Sequence, residues 1–186
     1  MPAPLNYLSL CSLDGYIEDA SGDFMWAAPD EEVHAFVNDL ERGVSTMLIG
    51  RRMYETLAVW ETMPTEGEPA AMADYKDIWL AADKIVYSRS LEEVSTERTR
   101  IEREFDADAV RELKASSDGH LSIGGPEIAA EALRAGLIDE VGVIVSPAII
   151  GGGKRALPDG VRLDLELIDE RRFGSGAVYS NYRVSG

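Results

Sequence analysis

The sequence holds one cysteine, Cys11, so no disulfide can close within the chain. That fits a reducing compartment. Cys11 lies in an apolar run and reads as a small core hydrophobe. Histidine is nearly as scarce. His34 and His120 are the two, and neither stands with cysteines or carboxylates at metal-ligand spacing, so no metal is expected. No apolar run approaches the roughly 18 residues of a membrane span. The first residues lack the basic leader and apolar length of a signal peptide. A cytoplasmic location without a membrane partner is the expectation. Positive charge is also short: 18 Lys and Arg against 34 Asp and Glu, a formal net charge of −16. A field of that sign repels phosphate backbones and argues against nucleic acid as a partner. Any anionic ligand would need a local cationic pocket.

The 186 residues suit one domain, residues 1–186, with a core that needs no staples. Leu5 to Ser12 is mostly apolar, as a buried strand should be. Pro29 to Arg42 has helical spacing, with Val33, Phe36, Val37 and Leu40 on one stripe and Gly43 ending it. Thr46 to Ile49 reads as a strand and Gly50 to Leu57 as a helix. Pro64 to Ala73, with Pro64, Gly67 and Pro69, reads as a loop leading into a short helix near Trp79. The irregular stretch from Trp60 to Met72 could serve as a lid, and Trp60, Met63, Met72 and Tyr75 could wall a flat substrate or simply pack.

Further strands are expected at Lys84 to Tyr87, Thr99 to Glu104, His120 to Ile123 and Glu140 to Ser146. Helices are expected at Asp106 to Ala115, capped by Asp106, and at Pro126 to Ala135, ended by Gly136. Arg162 to Phe173 and Ala177 to Val184 flank Gly174-Ser175-Gly176 as a hairpin. Alternation of this kind predicts an α/β fold. Its central sheet is mostly parallel, helices cover both faces, and a C-terminal antiparallel hairpin closes the chain.

In such folds ligands sit where strands end and helices begin. Three such junctions favour anions. Leu48-Ile49-Gly50-Arg51-Arg52 turns from a strand on a glycine into a helix that opens with two arginines. Tyr87-Ser88-Arg89-Ser90 ends a strand in hydroxyl, guanidinium, hydroxyl, a triplet that can hold a phosphate monoester. Ile123-Gly124-Gly125-Pro126 ends a strand in two glycines that let backbone amides approach a pyrophosphate. Each alone reads as an ordinary turn, and GxGxxG is absent. Three together, in an acidic chain, point to a phosphate-rich ligand.

These blocks occur in order with Ser12-Leu13-Asp14-Gly15-Tyr16-Ile17, Ala135-Gly136-Leu137-Ile138-Asp139-Glu140 and Ser146-Pro147-Ala148-Ile149-Ile150-Gly151-Gly152-Gly153-Lys154. Over nearly its whole length the chain resembles the dihydrofolate-reductase-like superfamily. Within it, the likeness is to the reductase domain of the bifunctional riboflavin-biosynthesis enzyme.

The resemblance implies a three-layer sandwich and an NADPH-dependent reductase. Such an enzyme passes hydride to a C=N or C=O bond of a small, heterocyclic substrate. Gly50, Arg51 and Arg52 would lie by the cofactor phosphates. Ser88, Arg89 and Ser90 would take the 2′-phosphate, and Gly124, Gly125, Pro126, Glu127 and Ile128 would cradle the pyrophosphate. Asp14, Gly15 and Ile17, with Trp26, would border the nicotinamide. A homodimer is implied, with Ser146 to Lys154 and the C-terminal strands as candidate contacts.

Two departures bear on the substrate. Ile123 stands beside the place where the riboflavin enzymes carry a substrate-holding glutamate. Pro29-Asp30-Glu31-Glu32 stands where they carry arginines for a substrate phosphate. An acidic helix start would repel a ribityl phosphate. Dihydrofolate reductases carry a substrate-holding carboxylate near Asp30 or Glu31, although first-turn acids are common for dipole reasons alone. Asp30, Glu31 and Tyr54 are the candidate proton donors. The alternatives are a riboflavin-pathway reductase of 5-amino-6-(ribosylamino)uracil phosphate, a flavin- or deazaflavin-type cofactor in the same cleft, and a non-catalytic, ligand-binding dimer.

Overall fold

A computed structural model describes residues 1–185. Its strands are β1 (Leu5–Ser12), β2 (Tyr16–Glu18), β3 (Val44–Gly50), β4 (Asp83–Tyr87), β5 (Thr99–Glu102), β6 (His120–Gly124), β7 (Glu140–Ser146), β8 (Lys154–Arg155), β9 (Asp164–Arg172) and β10 (Val178–Ser185). Its helices are α1 (Glu31–Glu41), α2 (Arg51–Leu57), α3 (Ala70–Ala81), α4 (Ala107–Ser116) and α5 (Pro126–Arg134). Eight strands form one sheet in the order β5-β4-β3-β6-β1-β7-β10-β9, and β2 pairs with β8 in a separate ribbon. All pairings from β5 to β7 are parallel; β7–β10 and β10–β9 are antiparallel. The predicted mostly parallel sheet with a closing antiparallel pair is therefore present.

Alternation along β1 explains the layers. Leu5 and Tyr7 point into a core formed with Val110 of α4 and with Ala129, Ala132 and Leu133 of α5. Leu8 and Leu10 point the other way, under Val33, Phe36, Val37 and Leu40 of α1. Beside them on that face, Met47, Ile49 and Val86 pack beneath Tyr54 of α2 and Trp79 of α3. Period-two alternation thus supplies both faces from one strand.

Some boundaries differ from those expected. Asp30 caps α1, its carboxylate accepting from the Val33 N–H at 2.8 Å, so Pro29 precedes the helix. Gly43 follows α1 beneath the exposed His120 ring, whose Nε2 would lie 2.3 Å from a Cβ there and would have to swing aside. The expected loop from Pro64 ends at Pro69, and α3 runs for 12 residues. The loop is tied down, since Lys76 Nζ donates to the Met63 carbonyl at 2.7 Å. Trp60 packs edge to face with Tyr75 and His34, and His34 and Tyr75 are tilted, with ring centroids 5.0 to 5.9 Å apart. The packing role foreseen for Trp60 and Tyr75 is the one that the structure displays.

At the amino ends of the strands, Glu41 of α1 joins Asn6, Ser122, Glu140 and Asn181 around a small polar cavity. Burial pushes the Glu41 carboxyl up to about 7, against the opposing pull of a hydrogen bond from Ser122. An acid raised on folding costs stability as pH climbs from its unfolded value through its folded one. Glu41→Gln is therefore expected to gain about 1–2 kcal/mol over the parent at pH 8 and nothing at pH 4. Urea titrations at both pH values measure it; an equal difference at both would refute the burial argument.

Candidate active site

The three anion-friendly junctions lie at the carboxyl ends of adjacent strands, because β4, β3 and β6 are neighbours in the sheet. In the register, Gly50 is opposite Tyr87 and Ile49 is opposite Gly124. This brings the starts of α2 and α5 together: a Cβ built on Gly125 would lie 3.8 Å from the Gly50 nitrogen. Neither helix start carries a side-chain cap. Pro126 opens α5, where a missing N–H costs nothing. The amides behind it remain available to an anion, with the helix dipole favouring negative charge there.

Side chains fill in the site. Arg51 Nη1 donates to Ser90 Oγ at 2.7 Å, which joins the first junction to the second. Arg89 is largely exposed, with Glu104 3.7 Å away. Ser88 is buried and turned inward. Its Oγ accepts from the N–H groups of Ser90 and Leu91 at 3.3 and 3.0 Å, so it shapes the turn. Ile128 is also buried, in the α5 core.

The fourth wall is the β2–β8 ribbon and the turn before it. Gly15 and Ile17 lie there, with Trp26 in a short 3-10 turn at Met25–Ala27. The Trp26 indole N–H donates to the Asp23 carbonyl at 3.0 Å. Asp14 faces its own loops. Its carboxylate accepts from Ser12 Oγ at 2.6 Å and from the N–H groups of Ile150 and Gly151 at 3.1 and 2.7 Å. These donors, Ser12 foremost, hold its carboxyl down at about 2. Asp14 therefore ties the first loop to the glycine run. That run, Gly151 to Gly153, leads directly into β8 and belongs to the site's frame.

Of the three candidate proton donors, two are occupied. The Asp30 carboxylate caps α1. Tyr54 is buried, and its hydroxyl oxygen accepts from the Ser95 N–H at 2.8 Å and the Thr96 hydroxyl at 3.3 Å. It therefore belongs to the packing between α2 and the loop before β5. Glu31 stays exposed in the first turn of α1. Ile123 is likewise in the core beneath α5. The residue of β6 that faces the α1 side is its neighbour Ser122, which lines the cavity beside Glu41.

Two residues of the site were not anticipated. Glu18 of β2 meets Arg52 of α2 at 3.3 Å, and Lys154 of β8 meets Glu127 of α5 at 2.8 Å. The Lys154 hydrogen bond, the largest influence, holds the Glu127 carboxyl below its ordinary value. The one available signal was the position of Lys154 at the end of the Gly151-Gly152-Gly153 run. Among the described residues no cluster of three metal-ligating side chains exists, and no helix is long and apolar enough to cross a membrane.

Known proteins with this arrangement agree in fold. A putative riboflavin biosynthesis protein from Shewanella sp. PV-4 superposes with a TM-score of 0.77 at 20% identity, both chains being covered in full. A dihydrofolate reductase from Enterococcus faecalis, solved with NADP(H) and RAB-propyl, superposes with a TM-score of 0.64 at 13% identity, over 98% of this chain and 97% of that one. The architecture is thus dihydrofolate-reductase-like. In sequence, the uncharacterized protein YyaP of Bacillus subtilis is 26% identical over 178 residues, which is 94% of this chain and 92% of that one. The model of the RibD C-terminal domain matches residues 5–179. With almost its entire length inside that match, the chain belongs to the RibD C-terminal domain family.

Proposed function

We propose that this chain is a single-domain, NADPH-dependent reductase acting on a C=N or C=O bond of a small heterocyclic substrate. Family membership supports an oxidoreductase. The observation that carries the cofactor reading is the convergence of Arg51, Ser90 and the uncapped start of α5 on one edge of the sheet. The residues fit a dinucleotide phosphate on two counts. Gly125 leaves the start of α5 uncovered, while the buried Gly124 makes room for Met53 of α2, and Arg51 is already oriented toward the Ser88-Arg89-Ser90 turn.

Bound NADPH would supply hydride from its nicotinamide; the protein's part is placement and exclusion of water. In this reading Arg51, Arg89 and Ser90 bind the 2′-phosphate, and Ser88 shapes the loop that presents them. Gly50, Arg52 and the backbone of Gly124 to Ile128 face the pyrophosphate. Asp14, by holding Ile150 and Gly151, positions the loop of Gly15, Ile17 and Trp26 against the nicotinamide. Glu31 is the remaining candidate for moving a proton. A riboflavin-pathway substrate phosphate is disfavoured by the acidic start of α1, chiefly by the exposed Glu31, since Asp30 caps the helix and Glu32 pairs with Arg171 at 3.0 Å.

A homodimer in the cytoplasm completes the reading. The edge strand β9 leaves Leu165 and Leu167 exposed, which suits a second copy better than water.

Titrating NADPH and NADH by nicotinamide fluorescence tests the proposal, with Arg89→Ala alongside. Tighter NADPH binding is expected, with the preference falling about ten-fold in the variant, in line with a charge-assisted hydrogen bond. Light scattering on the same sample reads the dimer. A protein that binds neither nucleotide would favour a non-catalytic relative, and a yellow protein would favour a flavin.

A further inference from the structure

Four cations at the candidate cofactor edge each meet a glutamate, whereas Arg103 donates to the Ser88 carbonyl and Arg155 lies over the Tyr16 ring. Arg51 pairs with Glu55 at 2.7 Å, Arg52 with Glu18 at 3.3 Å, Lys154 with Glu127 at 2.8 Å, and Arg89 with Glu104 at 3.7 Å. At these four positions the cationic charge is already matched by a carboxylate, in a protein whose formal net charge is −16. Two of these pairs are ordinary. Arg51–Glu55 runs along one helix turn, and Arg89–Glu104 joins two exposed side chains. The other two span elements. Glu18 and Lys154 are register partners in the β2–β8 ribbon. The ribbon's acid takes an arginine from α2, and its base takes a glutamate from α5. The ribbon side chains are mostly covered, 20% and 23% exposed, whereas their helix partners Arg52 and Glu127 are 75% and 84% exposed.

We propose that Glu18 and Glu127 are placeholders for phosphate. They hold Arg52 and Lys154 until a dinucleotide arrives. Both cations then exchange a carboxylate for pyrophosphate oxygens, which makes Lys154 a cofactor-binding residue. The inference rests on the dinucleotide reading above. Glu127 lies in the first turn of α5, the same dipole end that a phosphate would use, so the two negative groups compete for one place. Its exposure lets it leave without disturbing the core. Lys154, anchored in the ribbon, stays behind as the cation. The exchange also lowers the net gain from binding, which favours release of the spent cofactor.

The test uses the whole chain and four proteins: the parent, Glu18→Gln, Glu127→Gln and Lys154→Met. NADPH and inorganic pyrophosphate are each titrated at low salt, and melting is followed without ligand. Each glutamine variant is expected to bind both ligands about two- to five-fold more tightly, the size of one exposed ion pair. Their ligand-free melting temperature should be unchanged or lower, and Lys154→Met should bind more weakly. Affinity and stability then move apart, which a merely structural role would not produce. Equal or weaker binding in the glutamine variants overturns the placeholder inference while NADPH binding by the parent keeps the cofactor reading. Tighter pyrophosphate without any NADPH binding supports the placeholders and sinks the cofactor reading. No binding of either ligand by any protein overturns both.

Discussion

Gly125→Val is expected to abolish measurable NADPH binding while the protein still folds. Gly125 has φ +96°, a backbone conformation that L side chains rarely adopt. Holding valine there would cost about 1–3 kcal/mol, a fraction of a typical domain's stability. The added Cβ itself has room, since its nearest neighbours would be the Gly50 nitrogen at 3.8 Å and Ile128 Cγ2 at 4.0 Å. The space it takes is the gap between the starts of α2 and α5. Its methyl groups would cover the amides offered to the pyrophosphate, and relief of the strain would turn those amides away. Loss of two or more charge-assisted hydrogen bonds amounts to about 3 kcal/mol or more, a hundred-fold or greater loss of affinity. Fluorescence titration beside a melting curve separates the effects. Retained affinity in a folded variant would mean that the α5 amides do not hold the cofactor.

Gly125 was legible as a candidate because its glycine pair, an ordinary turn by itself, stands in one chain with two other anion-friendly junctions at strand ends. The same local logic found Arg51 and Ser90, and the sheet's register then explains why they touch. The central strands β1, β3, β4, β6 and β7 were legible because burial on both faces forces apolar runs, unlike the largely exposed edge strand β9. Local logic fails where a residue's partner is distant. Tyr54 reads as a polar side chain at the head of a helix, yet its hydroxyl is held by Ser95 and Thr96, about forty positions away. Asp30 reads equally well as an acid and as a cap, and only the bond to the Val33 N–H decides. Ile123 and Ser122 are neighbours that face opposite sides of β6, so one step along the strand exchanges core for cavity.

The β2–β8 ribbon was illegible for another reason. Strands of three and two residues carry no periodicity. They exist because their ends are held, by Asp14 on Ile150 and Gly151, and by Glu18 and Lys154 on the two helices. Helix α3 was underestimated because Pro64, Gly67 and Pro69 crowd its approach and conceal where it starts. Its buried residues Ala71, Ile78 and Trp79 are also a weak stripe.

Gly153→Ala follows from that ribbon and is the severest single change expected on this side of the molecule. A Cβ on Gly153 would lie 1.9 Å from the Glu18 carbonyl oxygen and 2.8 Å from the Asp19 backbone. These are backbone atoms of β2 and its following turn, with no flexible side chain to give way. Its φ of +135° adds strain to the overlap. Alanine is tolerated only if β8 separates from β2, and the pairing of Glu18 with Lys154 goes with it. The main sheet does not include this ribbon, so the core is expected to stay folded and the loss to be local. Hydrogen exchange should show the amides of Tyr16 to Glu18 and of Ala156 opening, the latter because it donates to the Gly15 carbonyl at 2.9 Å. Amides of β3 and β6 should remain protected. NADPH affinity is expected to fall by about ten-fold or more, since the wall bearing Lys154 is released. A variant whose ribbon amides stay protected would show that the turn at Asp19 can retreat by more than an ångström. Unchanged affinity with an opened ribbon would place the cofactor on the helices alone.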